Sequence, residues 1–174
     1  YLYITRGDQK ESYALAYTDK LTGVRNFTKF RQDGEGMLQA PDGLPCALLS
    51  INMLNFKIYN DVMGYSEGDA LLKAFARILE REAPRPVLVA RMLADAFLVL
   101  FPYKGKGELV TYCEAYSRAL NGFIVSREQN YQLELRSGIC CVEDSDASDM
   151  NSVLDGANMA FKTMKVKGAA HWKF

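Results

Sequence analysis

The residues able to do chemistry in this chain gather in two places. One is Asp95, the single carboxylate in the run Arg91-Met92-Leu93-Ala94-Asp95-Ala96-Phe97. The other is a polar cluster that follows an apolar run, with Lys57, Asn60, Asp61 and Asp69. A carboxylate can hold a hard cation, and an amide beside a carboxylate offers donors and acceptors to the polar edge of a ligand. Each residue also has a plainer reading. Asp69 near the start of a helix is a favourable dipole partner, Asn60 ends a short helix, Lys57 and Lys165 are solvated lysines, and Asp95 is a solvated turn residue. Zinc chemistry finds no framework, because Cys46, Cys113, Cys140 and Cys141 have no CxxC spacing and His171 is the sole histidine. The cysteines read as core thiols of a reduced compartment. The acidic run from Glu143 to Asp149 lacks the Gly and the distal Glu of a calcium loop, so it reads as a solvated loop that caps a helix.

These residues must be positioned by a domain of ordinary composition. A chain of 174 residues, 49% hydrophobic and 24% charged, suits one globular domain. Lys+Arg and Asp+Glu stand at 21 each, so no global field favours a nucleic acid polymer or an anionic membrane. There is no apolar run of about twenty residues and no signal-peptide pattern. The chain opens Tyr1-Leu2-Tyr3 without Met, which reads as a piece of something longer.

In chain order, Gln9 to Tyr17 suits a short helix that would act as a linker over residues 1–17. Asp19 to Gly23 reads as a turn, Asn26 to Arg31 as a second short helix, and Gln32 to Pro45 as a loop rich in Gly and Pro. Cys46 to Met53 is almost continuously apolar, as a strand buried on both faces would be. Phe56 to Asp61 makes a helical turn or two. Leu71, Leu72, Phe75, Ile78 and Leu79 then recur at helical spacing, with Ser66 and Asp69 resembling a capping box. Pro86 to Ala90 and Phe97 to Pro102 read as the arms of a β-hairpin, whose tip would ordinarily carry Gly, Asn or Asp rather than Leu93 and Ala94. A helix from Gly107 to about Ser126, a half-buried strand from Tyr131 to Val142, a helix from Met150 to Lys165 and a closing strand from Trp172 to Phe174 complete the order. The fold class is α/β (α+β): a mixed central sheet with a β-hairpin, flanked by helices.

Five short motifs then resemble the GGDEF, or diguanylate cyclase, domain family over residues 18–174. Asp19-Lys20-Leu21-Thr22-Gly23-Val24-Arg25-Asn26 is similar to D-x-L-T-G-x-x-N. Phe56-Lys57-Ile58-Tyr59-Asn60-Asp61, followed by Gly64 and Gly68-Asp69, is similar to F-K-x-x-N-D and G-H-x-x-G-D, with Tyr65 in place of His. Ser137-Gly138-Ile139 resembles S-x-G-I. Ala157 to Gly168 resembles A-D-x-A-L-Y-x-A-K-x-x-G, with Asn158 for Asp and Lys165 matching the Lys. The signature itself falls on Leu93-Ala94-Asp95-Ala96-Phe97, so the member is degenerate.

The resemblance implies a nucleotide-cyclase, ferredoxin-like palm that in active members condenses two GTP into cyclic di-GMP with divalent ions. It places the metal-binding acids on Asn52 and on Asp95 and Ala96, leaving Asp95 and Asn52 as a metal-site remnant. Two formal charges are missing. At ~4 Å and an effective dielectric near 20, each charge pair is worth about 4 kcal/mol with a monovalent ion, enough to remove several decades of affinity or rate. Leu93 and Ala94 put side chains where glycines let backbone approach nucleotide. The resemblance places guanine recognition on Asn60 and Asp69 and phosphate contacts on Lys57 and Lys165, while its phosphate Arg falls on Ala169 and its R-x-x-D inhibition motif is lost at Pro84 and Val87. It therefore implies a catalytically inactive regulatory domain of a bacterial cyclic-di-GMP signalling protein, retaining weak GTP binding or serving as a dimerisation module. The alternative is a weakly active cyclase. Implied partners are GTP, an upstream sensor, a downstream phosphodiesterase-like domain in the same chain and a second copy in a homodimer. No cofactor is expected beyond Mg²⁺ if GTP is bound, and the location is cytoplasmic, as a free domain or as part of a membrane-anchored protein.

Overall fold

The computed structural model describes residues 12–13, 16–39, 43–129, 131–144, 149–163 and 172–174. Five strands form one sheet in the order β2-β3-β1-β4-β5. β1 (Cys46–Met53) lies at its centre, antiparallel to β3 (Ala96–Pro102) and to β4 (Leu135–Cys141). β2 (Leu88–Leu93) is antiparallel to β3, and β5 (Trp172–Lys173) runs parallel to β4, which makes the sheet mixed. Continuous burial along β1 follows from helices on both faces.

α3 (Tyr65–Arg81) and α4 (Lys106–Ser126) cover one face. There Leu49, Ile51, Phe75, Phe97, Tyr112 and Tyr116 form the larger core. Phe75 meets Phe97 and Tyr116 edge-on, with ring centroids 5.1 and 6.0 Å apart. Full burial of an apolar side chain of this size is worth about 1.5–3 kcal/mol, so this layer dominates the hydrophobic stabilisation. α1 (Phe27–Leu38) and α5 (Met150–Lys162) cover the other face through Phe30, Met150, Val153 and Ala157, packed on Leu48, Leu98 and Leu100. A Cβ at Gly138 on β4 would lie 2.2 Å from the Ala157 carbonyl and 2.4 Å from the Phe161 nitrogen, so only glycine lets α5 sit this close to the sheet. All four cysteines are free and buried, and Cys140 and Cys141 face opposite cores.

Several elements differ from the sequence reading. α1 continues to Leu38 through what composition presents as loop. Asn26 caps it by accepting from the Lys29 N–H, and Gly34 is buried where its missing Cβ makes room for the Met150 side chain. Tertiary packing here outweighs the poor helix propensity of two glycines. The capping box at Ser66 and Asp69 does not form. The N-cap is Gly64, whose φ of 91° turns α2 (Phe56–Met63) directly into α3, and both Ser66 and Asp69 lie inside the helix. Asn60 likewise lies within α2 rather than at its end. β4 begins at Leu135, because Tyr131 leaves the strand path and packs edge-on against Tyr59 at 5.2 Å. Of the linker helix, Ser12, Tyr13, Ala16 and Tyr17 are helical. α5 ends at Lys162, and Lys165 and Ala169 lie outside the described residues.

Candidate functional site

The hairpin tip is a two-residue turn, Ala94-Asp95, between the paired residues Leu93 and Ala96. Ala94 adopts φ 50°, the left-handed conformation that glycine takes without steric cost. Leu93 projects into solvent and is 78% exposed. Asp95 is half-buried, and its Oδ2 accepts from the Met53 N–H at 3.0 Å. The β1–β3 ladder explains that bond. Its last pair is Ile51 with Phe97, and two further places would set Met53 opposite residue 95. The chain has already turned there, so the Asp95 side chain accepts the bond that a strand carbonyl would have taken. The carboxylate is thus part of the ladder, not a solvated turn residue.

Arg91 ties the tip to the opening motif. Its Nε donates to the Ala94 carbonyl at 2.8 Å and its Nη1 to both Asp19 oxygens at 3.2 and 3.4 Å. Asp19 also accepts from the Thr22 N–H at 2.9 Å and the Thr22 hydroxyl at 2.7 Å. Burial pushes the Asp19 carboxyl up, but the Thr22 bonds and the Arg91 guanidinium outweigh it and hold the group below its ordinary value. The Arg91 N–H donates to the Arg25 carbonyl at 3.1 Å, which docks the same segment on β2.

Beside the tip lies a row of three cross-strand neighbours. Asn52 pairs with Arg136 on β4. One place beyond Ile51–Phe97, still within both strands, Asn52 stands opposite Ala96. Directly opposed residues share a sheet face with Cβ atoms roughly 4.5–5.5 Å apart, so the row reads Ala96, Asn52, Arg136. The two positions at which the family resemblance expects acids are therefore brought together, and neither carries charge. The third member is a cation whose side chain is 14% exposed, with Nε 3.5 Å from the Glu134 carboxylate. On the same face, Ser50 donates to the Asn158 side-chain oxygen at 3.4 Å. A divalent cation does not fit this donor set. It would meet one neutral amide oxygen, a carboxylate already engaged by the Met53 N–H, and a neighbouring guanidinium. Among the described residues no group of three or more His, Cys, Asp or Glu side chains could hold a metal ion.

The third part is the corner between α2 and α3. A Cβ at Gly68 would lie 1.8 Å from Asn60 Oδ1, so the glycine lets α3 rest on the Asn60 amide. That oxygen is buried and has no hydrogen-bond partner among the described residues. A buried acceptor without a donor is uncommon and calls for one. Asp69 follows Gly68 and is exposed, and Lys57, one turn before Asn60, is exposed as well. The corner is braced from α4. Arg127 donates to both Glu67 oxygens at 2.7 and 2.6 Å, Gln129 donates to Glu67 at 2.8 Å, and the Tyr59 hydroxyl donates to Gln129 at 2.7 Å. Glu67, rather than Asp69, is the acid in the first turn of α3. Among the described residues no hydrogen bond or ion pair joins Lys57, Asn60 or Asp69 to the tip.

Sequence reasoning missed Arg91, Arg136 and the Glu67 brace. Alternation along 131–142 does put Gln132, Glu134 and Arg136 on one side, but what that side meets depends on the register with β1. Both faces of β4 are covered, and Arg136 is half-buried rather than solvated.

Comparison with known proteins agrees with this geometry. The family described as diguanylate cyclase, GGDEF domain, matches residues 16–171. Diguanylate cyclase DgcM of Escherichia coli is 38% identical over 92 residues, which are 50% of this chain and 22% of that protein. Signaling protein YkoW of Bacillus subtilis is 21% identical over 170 residues, 95% of this chain and 21% of that protein. The chain thus spans under a quarter of the length of these two relatives. Among solved structures, the coiled coil and GGDEF domain of DgcB from Caulobacter crescentus, in complex with c-di-GMP, matches with a TM-score of 0.79 at 22% identity, covering 97% of this chain and 90% of that one. The S helix-GGDEF-EAL structure of Vibrio cholerae LapD matches with a TM-score of 0.79 at 16% identity, covering 98% and 39%.

Proposed function

The chain belongs to the diguanylate cyclase GGDEF domain family, and we propose that within it this is a regulatory domain without cyclase activity that keeps a guanine-recognition corner at Asn60 and Asp69. The observation that carries the reading is the Ala96–Asn52–Arg136 row. Activating a ribose hydroxyl toward a phosphate needs divalent ions held by carboxylates, and here the paired acid positions hold a methyl group and an amide beside a guanidinium. Asp95, the remaining acid, closes the backbone ladder. The corner is supported by the Asn60 amide, whose Oδ1 lies buried under Gly68 without a hydrogen-bond partner among the described residues, with the exposed Asp69 carboxylate next to Gly68.

As a regulatory module, the domain would pass the state of an upstream sensor to a second copy or to a phosphodiesterase-like neighbour in the same protein. The LapD structure, in which a GGDEF domain lies in one chain with an S helix and an EAL domain, is a precedent for that arrangement. No helix among the described residues is long and apolar enough to cross a membrane. The test is incubation of the purified chain with GTP and Mg²⁺ or Mn²⁺, followed by chromatography. The expected result is unchanged GTP, and accumulation of cyclic di-GMP refutes the reading. Isothermal titration with guanosine tests the corner, which requires binding that Asp69→Ala and Asn60→Ala both weaken.

A further inference from the structure

We infer that Arg127 and Gln129, at and just beyond the C-terminal end of α4, are positioning residues that hold Glu67 and Tyr59 so that Asp69 and Asn60 stand together for a guanine. Resting on the guanine corner of the proposed function, this assigns residues that act on the corner through its neighbours and do not touch the ligand. Asn60 follows Tyr59 in α2, and Asp69 stands two places after Glu67 in α3. The two helices join at Gly64, φ 91°, and glycine resists a change of backbone angle less than any other residue. A contact that spans both helices therefore sets the angle between them.

Gln129 spans both helices with one amide. Its Nε2 donates to Glu67 at 2.8 Å, and its Oε1 accepts from the Tyr59 hydroxyl at 2.7 Å. A glutamate in this place would have no donor for Glu67, and a lysine no acceptor for Tyr59. Arg127 holds Glu67 with two further bonds, at 2.7 and 2.6 Å. Tyr59 is fully buried and edge-on to Tyr131 at 5.2 Å, so its hydroxyl has a fixed place. Between the two holding residues, Glu128 takes φ 58°, a left-handed conformation that disfavours a residue with a Cβ. That turn closes α4, with the Glu128 N–H on the Val125 carbonyl at 3.0 Å, and carries Gln129 back to α2 and α3. Side-chain heads stand roughly 5–6 Å from a helix axis, so turning α2 by about 10° would move the Asn60 amide by about 1 Å, enough to lose a hydrogen bond to a ligand.

The test is titration with guanosine at a temperature where each variant is folded, so that the dissociation constant does not follow global stability. Tyr59→Phe removes one hydroxyl and keeps the ring, Gln129→Met removes both amide bonds at similar volume, and Arg127→Met removes the two bonds to Glu67. Each is expected to weaken guanosine binding by about three- to tenfold, the scale of one lost hydrogen bond. Gln129→Glu sets a carboxylate against Glu67 and should weaken binding at least as much. Adding Glu67→Gln to it exchanges donor and acceptor across the contact and should bring the affinity back to within about threefold of the parent. Arg85→Gln, which breaks the ion pair with Glu108 near the N-terminal end of α4, should lower the melting temperature and leave guanosine binding unchanged. The inference alone is overturned if the parent binds guanosine and the Tyr59, Gln129 and Arg127 variants keep its affinity, if Arg85→Gln weakens binding as much as they do, or if the exchange restores nothing. A parent chain that does not bind guanosine overturns the guanine corner and the inference with it.

Discussion

Replacing Asp95 by Ala tests whether the tip carboxylate is a structural acceptor. The bond at stake runs from the Met53 N–H to Oδ2 at 3.0 Å. Met53 is 3% exposed, and its N–H has no strand partner on that side because the β1–β3 ladder stops at Ile51–Phe97. A hydrogen bond to a charged acceptor contributes about 1.5–3 kcal/mol, and a buried donor left without one costs about 1–3 kcal/mol. Asp95 and Ala94 border solvent, so water can reach part of the vacated space and the loss should fall near the lower end, about 1–2 kcal/mol. For a chain of this length that lowers Tm by about 2–8 °C, at ~2–4 °C per kcal/mol. Asp95→Asn keeps an acceptor oxygen and should cost roughly half as much or less. Urea unfolding gives the stability, and amide exchange at Met53 gives the local signature, with faster exchange in the Ala variant. The effect should persist in EDTA, since no metal is involved. A stability within about 0.3 kcal/mol of the parent, with Met53 exchange unchanged, would refute the ladder assignment.

Other expectations follow from single observations. Ala94→Gly removes the steric cost of φ 50° and should raise stability by about 1 kcal/mol in urea unfolding, and a decrease would count against strain at the tip. Gly138→Ala places a Cβ against the Ala157 carbonyl and the Phe161 nitrogen, backbone atoms that cannot swing aside, so calorimetry should show a loss of about 3 kcal/mol or more, or no cooperative transition. Bonds from Arg85 hold the Glu108 carboxyl at about 2, below its usual 4.5. Because the folded value is the lower one, this pair stabilises the fold above pH 4.5 and the contribution is lost as pH falls from 4.5 to 2. Arg85→Gln should therefore flatten that part of the acid-unfolding curve while leaving its neutral-pH slope unchanged.

The reach of sequence reading can be seen element by element. The continuous apolar run Cys46–Met53 and the helical spacing of Leu71, Phe75 and Leu79 are local signals, because a strand or helix repeats its core contacts every two or every three to four residues. Those signals located β1, the hairpin, α3, α4 and α5 within a few residues, and the motif order named the family. Signals that depend on a partner distant in the chain failed. Gly34 looks like a helix breaker until Met150, more than a hundred residues away in the chain, fills the space over it.

At the candidate site the division is sharper. Residue types, set against the family's motifs, determined that Asn52 and Ala96 are uncharged where the resemblance implies acids, and that Asp95, Asn60 and Asp69 remain. Only the tertiary structure decided which of those residues stand together and which partners they meet. Two strands separated by forty-odd residues have no fixed register until their side chains pack, and a slip of one residue would turn every side chain to the other face. The register pairs Asn52 with Arg136 and, carried past its last pair Ile51–Phe97, sets Asn52 level with Ala96 and Met53 level with Asp95. Asp95 thereby becomes a ladder partner, and Arg136, four strand positions before Cys140, stands beside Asn52.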